Sequence, residues 1–173
     1  EMRSLGGPFW LVDCASVVPS AIVPKSACHR AYAYERATEA LHAQLAPKDW
    51  TEVHAGGDAN APLDFELPAA VDLRTADVEA LLKDMEVDMS VAPVAHTRGG
   101  SAEGYARWSS WVDGGGLKTY AKRRNESLDV RGVSRMSAFL NTGMVSPMRI
   151  ARLAFAGSGA GKGKFLNEFL TWR

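Results

Sequence analysis

From residue 75 onward, apolar side chains recur at helical spacing, and this repetition constrains the chain more than any other feature of it. Val78, Leu81, Leu82 and Met85 stand at i, i+3, i+4 and i+7, one face of an amphipathic helix. Thr75 offers an N-cap before them, and Asp77 and Glu79 fall in the first turn, where they complement the helix dipole. Ser101 is a second cap candidate, followed by a stripe of Tyr105, Trp108 and Val112 that Gly114-Gly115-Gly116 closes. Leu117 to Arg124 reads as a short basic helix and Ser137 to Asn141 as another helical turn. Ser146-Pro147 then places serine at the cap and proline at the first helical position of a helix with Ile150, Leu153 and Ala154 on its apolar face. Phe165, Leu166, Phe169 and Leu170 define the last helix. A mainly α fold is the expectation.

The front of the chain has a different grain. Phe9-Trp10-Leu11-Val12 is a short apolar run ending in Asp13, the pattern of a buried strand that turns into a loop. Pro19 and Pro24 punctuate an extended connection. Arg30 to Leu45 is helical, with Tyr34, Leu41 and Leu45 on one face and Pro47 ending the run. Glycine, proline and asparagine clusters between 46 and 74 predict a surface linker. The organisation expected is therefore a strand-and-helix segment over 1–45, a linker over 46–74 and a helical domain over 75–173.

Composition excludes several classes of function. With 46% hydrophobic and 23% charged residues the chain is an ordinary folding sequence rather than a disordered one. Twenty basic and twenty acidic residues cancel, so there is no global attraction to nucleic acid, although a local patch remains open. No apolar run approaches the about eighteen residues a transmembrane helix needs. Cys14 and Cys28 make no disulfide scaffold, and His29, His42, His54 and His96 pair with neither at a zinc spacing, so no metal site is expected. Glu1 in place of an initiator Met leaves a removed presequence and a trimmed chain both open.

The chemistry-bearing stretch runs from Leu117 to Pro147. A Ser134-x-x-Ser137 pair at a helix start supplies two hydroxyls beside unsatisfied backbone N–H groups, a combination that suits a diphosphate. Serine capping of an ordinary helix is the commoner meaning of such a pair. Tyr120, about a dozen residues earlier, adds a hydroxyl or a ring to stack on.

The order of residues goes further. Leu117-Lys118-Thr119-Tyr120-Ala121-Lys122-Arg123-Arg124-Asn125, then Val133-Ser134-Arg135-Met136-Ser137, then Gly143-Met144-Val145-Ser146-Pro147 resembles the opening of the flavin-binding domain of DNA photolyases and cryptochromes. Val12-Asp13-Cys14-Ala15-Ser16-Val17-Val18-Pro19 and the stretch from Leu82 to Val94 are similar to segments of the class II photolyases, and Phe165 to Arg173 resembles a further helix of the family. The resemblance implies an N-terminal α/β antenna domain, of which 1–45 would be a remnant, and an all-helical domain holding FAD, of which 75–173 would be the first part. It implies that Tyr120, Ser134 and Ser137, with backbone from Val133 and Met136, touch the phosphates and ribityl chain of the flavin. Arg173 would approach the cofactor, and Glu168 and Trp172 would face a damaged DNA base. The chain departs from the family's pattern at Ala15, where class II members carry histidine, at Val133, which lacks the usual hydroxyl, and at Asn141-Thr142-Gly143.

The family's remaining flavin contacts and its tryptophan electron-transfer chain have no counterpart in these residues. The function expected is therefore a photolyase-derived, non-catalytic structural subunit whose apolar helix faces are covered by other protein subunits, with the flavin lost. The alternative is part of an FAD-dependent photolyase or cryptochrome that repairs pyrimidine dimers in DNA or signals in blue light. An organellar setting, the chloroplast, is the expected compartment and the nucleus the alternative.

Three further motifs carry less. Gly157 to Lys164 is rich in glycine and lysine but fails the phosphate-loop pattern, so a turn between helices is expected. Lys118, Lys122, Arg123 and Arg124 suit either DNA phosphates or a solvated helix face. Trp108 lies in a helix stripe with Tyr105 and reads as core, and Trp111 beside it carries no separate electron-transfer signal.

Overall fold

A computed structural model describes residues 12–48, 71–72, 74–85 and 87–172. The described residues of 1–49 and 99–173 form one compact unit and those of 50–98 a second. Among the described residues helix predominates and there is no strand. The expected strand Phe9–Val12 falls outside them except for Val12, which is exposed and irregular, and most of the expected linker also lies outside. No helix among the described residues is long and apolar enough to cross a membrane.

The larger unit starts with a loop organised by one carboxylate. Asp13 accepts from the backbone N–H of Ala15 (3.0 Å), Ser16 (3.2 Å) and Ser20 (3.0 Å). Ser20 is the main cause that holds the Asp13 carboxyl below its ordinary range, with Ala15 and Ser16 adding to it against a small cost of burial. Two single-turn 3-10 helices, Ser20–Ile22 and Lys25–Ala27, follow Pro19 and Pro24. They lead into α1, Ala31–Leu45. As the spacing predicts, Tyr34, Leu41 and Leu45 share a face, which packs on Val18, Val23 and Ala27 as a small cluster of its own. Thr38, within the same stripe, and His42, beside it, are buried as well.

The main core belongs to five further helices, α3 (Ser101–Asp113), α4 (Gly116–Arg123), α5 (Ser137–Asn141), α6 (Pro147–Ala156) and α7 (Lys162–Thr171). Trp108, Trp111, Leu117, Met136, Ile150 and Phe165 are among its buried members. Helix α7 is the hub, packing on α4, α6 and α1. The α3–α4 corner needs glycine at Gly115, whose φ of 83° lies in the left-handed region. At Gly159, φ is 136° and an added Cβ would lie 2.7 Å from the Lys118 Cα, so the glycine-rich turn is the surface on which the backbone of α4 rests.

Caps were only partly readable. Ser146 is the N-cap of α6, its hydroxyl accepting from the Arg149 N–H at 3.3 Å, with Pro147 at the first helical position as expected. Ser101, expected as a cap, is instead the first helical residue of α3, because Gly100 at φ 109° takes the cap position and turns the chain there without any side-chain bond. In the smaller unit, α2 is Val78–Asp84. Its cap is Asp77, which accepts from the Ala80 N–H at 3.0 Å, and not Thr75, whose hydroxyl donates to the Asp72 carbonyl at 3.3 Å. The residue immediately before the helix has the extended backbone that capping requires, and aspartate serves there at least as well as threonine.

Candidate functional site

Two helices and one loop build the site. Tyr120 and Arg124 lie one turn apart at the end of α4, and Glu168 lies on the side of α7 that α4 meets. The intervening loop is folded back by Arg123, which forms a two-pronged ion pair with Asp129 (Nε to Oδ2 2.5 Å, Nη2 to Oδ1 2.7 Å). Asp129 also accepts from the Arg131 N–H at 3.0 Å, and Trp111 Nε1 donates to the Arg131 carbonyl at 3.1 Å, tying the loop to the core. Arg135, at φ 54°, is the one described non-glycine residue in the left-handed region; it stands between Ser134 and Met136.

These elements line an open hollow of about 340 Å³. Tyr120, Ser134, Met136, Ser137, Glu168 and Trp172 all line it, so six of the residues singled out from the sequence converge from three separate blocks. Val133 is not part of the lining and is 37% exposed, while Arg173 lies outside the described residues. Leu140, Phe165 and Phe169 also contribute to the wall. From the sequence the two phenylalanines only marked the last helix, and nothing in the helical period distinguishes a core position from one at a cavity wall.

The electrostatics centre on Glu168. Its Oε2 accepts from the Tyr120 hydroxyl at 2.7 Å, and its Oε1 pairs with Arg124 Nη1 at 3.0 Å and Lys164 Nζ at 3.1 Å. Burial pushes the Glu168 carboxyl up, but the Tyr120 hydroxyl, Lys164 and Arg124 together outweigh it and hold it below its ordinary value. Tyr120 moves strongly the other way, through burial first and then through its donation to Glu168 and the carboxylate's charge. The proton therefore stays on Tyr120 and the charge on Glu168 across the neutral range. The pair is a structural clamp with no acid–base exchange at neutral pH. Its hydroxyl proton is committed, so Tyr120 can meet a ligand only with its ring edge or a lone pair. Two cations against one carboxylate leave one positive charge in excess beside the hollow. Arg124 Nε is buried and has no hydrogen-bond partner among the described residues.

Aromatic contacts stiffen the wall. The Tyr120 ring stands edge-on to Phe165 (5.3 Å, 81°) and to Trp111 (6.0 Å, 88°), and Phe165 stacks on Phe169 at 5.5 Å. Trp108 is buried among Trp111 and Phe165, a core residue as its stripe predicts.

The glycine–lysine run has a structural occupation. Lys162 Nζ donates to the Phe155 carbonyl at 2.5 Å and the Gly157 carbonyl at 2.9 Å, so it caps the end of α6. The four basic residues of α4 also divide: Arg123 and Arg124 are held by Asp129 and Glu168, while Lys118 and Lys122 are exposed. Among the described residues no cluster of histidine, cysteine and carboxylate is placed to hold a metal.

No family model, curated protein or solved structure matches this chain. What can be said of its function rests on the residues themselves and on the hollow they form.

Proposed function

We propose that the hollow is the phosphate and ribityl end of a flavin dinucleotide site, and that the chain supplies one wall of a photolyase-type helical domain. The observation that carries this reading is the convergence of Tyr120, the Ser134–Ser137 pair and the Glu168–Trp172 turn on one cavity, although up to 52 positions separate them. The residues present suit the group in part. Ser134 and Ser137 provide hydroxyls, and Met136, Phe165 and Phe169 an apolar floor. The excess positive charge and the unsatisfied Arg124 Nε favour an anionic ligand. A volume of about 340 Å³ is at the lower end for a small-molecule site, so these residues surround only a portion of a dinucleotide.

In this reading Glu168 and Arg124 hold each other in place and keep the wall from collapsing. Trp172, 74% exposed at the rim, offers a face on which a base can stack. When bound, a reduced flavin supplies light-driven electron transfer, the chemistry of pyrimidine-dimer repair or of blue-light signalling. The chain's own residues bind, orient and exclude water.

A second reading, a non-catalytic subunit of a larger protein assembly, has its own observation. Val78 and Met85 on α2 are 56% and 59% exposed, and Leu81 and Leu82 of the same face are also in solvent. An apolar helix face in water marks a contact surface.

One titration separates the two. FAD added to the purified chain should lose fluorescence saturably, and Ser137→Ala should weaken binding by about tenfold or more, the cost of one hydrogen bond to a charged group. Absence of saturable quenching, with the chain sedimenting as a complex or self-associating, would leave the subunit reading standing alone.

A further inference from the structure

The opposite side of α7 carries a second cavity, of about 390 Å³, between α1, α6 and α7. Glu35, Glu39, His42 and Ala43 line it from α1, at i, i+4, i+7 and i+8, a single stripe of that helix. Phe155, Leu166 and Leu170 form an apolar floor. No lysine or arginine is among the described residues that line it, whereas every carboxylate contact at the first hollow is answered by a cation or a hydroxyl.

His42 makes the cavity more than an acidic patch. The residue is only 5% exposed, and its Nε2 is buried with no hydrogen-bond partner among the described residues. Leaving a buried polar nitrogen unpaired is costly, and it persists in native proteins mainly where a ligand or water completes it. Burial holds the imidazole below its ordinary range, so it is neutral at pH 7 and adds no positive charge to the wall. Glu35 accepts from the Asn167 side chain across the α1–α7 gap, which leaves Glu39 exposed at the rim with no described partner. The wall is thus apolar below, anionic above, and free of cations.

We propose that this cavity binds a small organic amine, its apolar body against Phe155, Leu166 and Leu170 and its ammonium group at Glu39 and Glu35. At about 390 Å³ the cavity has room for a whole small molecule, and its apolar floor beside carboxylates matches an amine with an apolar body of its own. The inference does not depend on the flavin reading, because the two cavities share no lining residue.

The test is a titration of the full chain with 2-phenylethylamine at pH 7, followed by NMR on the His42 and Tyr120 rings. Saturable movement of the His42 signals with the Tyr120 signals unmoved is expected. The neutral isostere 2-phenylethanol should bind at least about fivefold more weakly, and Glu39→Gln should weaken amine binding about three- to fivefold, the span of an exposed ion pair. Glu39 is exposed and free of described contacts, so unchanged thermal melting of the variant serves as the folding control. Equal binding of amine and alcohol, an unchanged dissociation constant in Glu39→Gln, or no saturable shift of His42 would each overturn the proposal. Tighter binding of a lysine-containing tripeptide than of the free amine would overturn the assignment to a small molecule.

Discussion

Helix α7 separates two cavities that differ in how their charges are settled. Toward α4, Glu168 has three partners, a hydroxyl and two cations, and the surrounding rings of Tyr120, Phe165 and Phe169 are in mutual contact. Toward α1, His42 Nε2 has no described partner, and Glu39 has none either. A closed network specifies one arrangement of its members, since each additional bond narrows the geometry of the others. On the α1 side a single described side-chain bond, from Asn167 to Glu35, supplements the apolar packing, and the wall is sensitive to anything that supplies further contacts. One helix thus presents a rigid wall on one side and an adaptable one on the other.

The largest effect is expected on the α4 side, where α7 meets the aromatic core. Phe165 is buried and touches Trp108, Trp111, Tyr120 and Phe169. Phe165→Ala should cost about 3–5 kcal/mol in denaturant unfolding and loosen the hollow it lines on the α4 side. A loss below about 1 kcal/mol would mean that α7 is not the hub of the core.

Tyr120→Phe should act on the α4 side alone. It removes one bond to an ionised carboxylate at a cost of about 1.5–3 kcal/mol. The pH profile should move with it. Glu168 is depressed in the folded state, so its stabilisation is present above the ordinary glutamate value, about pH 4.3, and is lost as pH falls through the lower folded-state value. Without the Tyr120 hydroxyl that acid limb should begin at higher pH, measurable as melting temperature against pH. Coincident limbs in the two proteins would show the clamp to be idle.

Lys162→Met tests the end of α6. Losing the two carbonyl contacts should cost about 1 kcal/mol and leave nucleotide binding untouched. A matching loss of FAD binding would restore the phosphate-loop role that the capping contacts argue against.

The smallest effect should have the opposite sign. Burial lowers the His42 pKa, so the neutral imidazole's contribution is complete above the ordinary value of about pH 6.5 and is lost as pH falls below it toward the folded-state value. His42→Leu removes the unpaired nitrogen and should stabilise by up to about 1 kcal/mol at pH 6, flattening the profile there. Destabilisation instead would place a partner on Nε2 and close the network on the α1 side as well.

Where local chemistry decides structure, the residues announced it. Ser146 caps α6 because a hydroxyl one residue before Pro147 is already in position, and the stripe Tyr34, Leu41 and Leu45 buries one face of α1 because the helical period puts those side chains together. Thr75 and Ser101 misled because each had a competitor within two residues, Asp77 and Gly100, and the choice between them depends on the backbone angles of the turn. Phe165 and Phe169 looked alike in sequence, and both line the hollow, yet the first is buried in the core and the second only half-buried.

The sequence by itself determined a mainly helical chain and marked Tyr120, Ser134, Ser137 and Glu168 as residues to watch. Only the tertiary structure decided that the Tyr120 hydroxyl donates to Glu168 and that His42 Nε2 has no hydrogen-bond partner among the described residues, in a cavity that two carboxylates line. Pairings across 48 positions, and cavities between helices far apart in the chain, follow from how α7 lies against α4 and α1. A helical period says which side chains share a face, but it does not say what that face will meet.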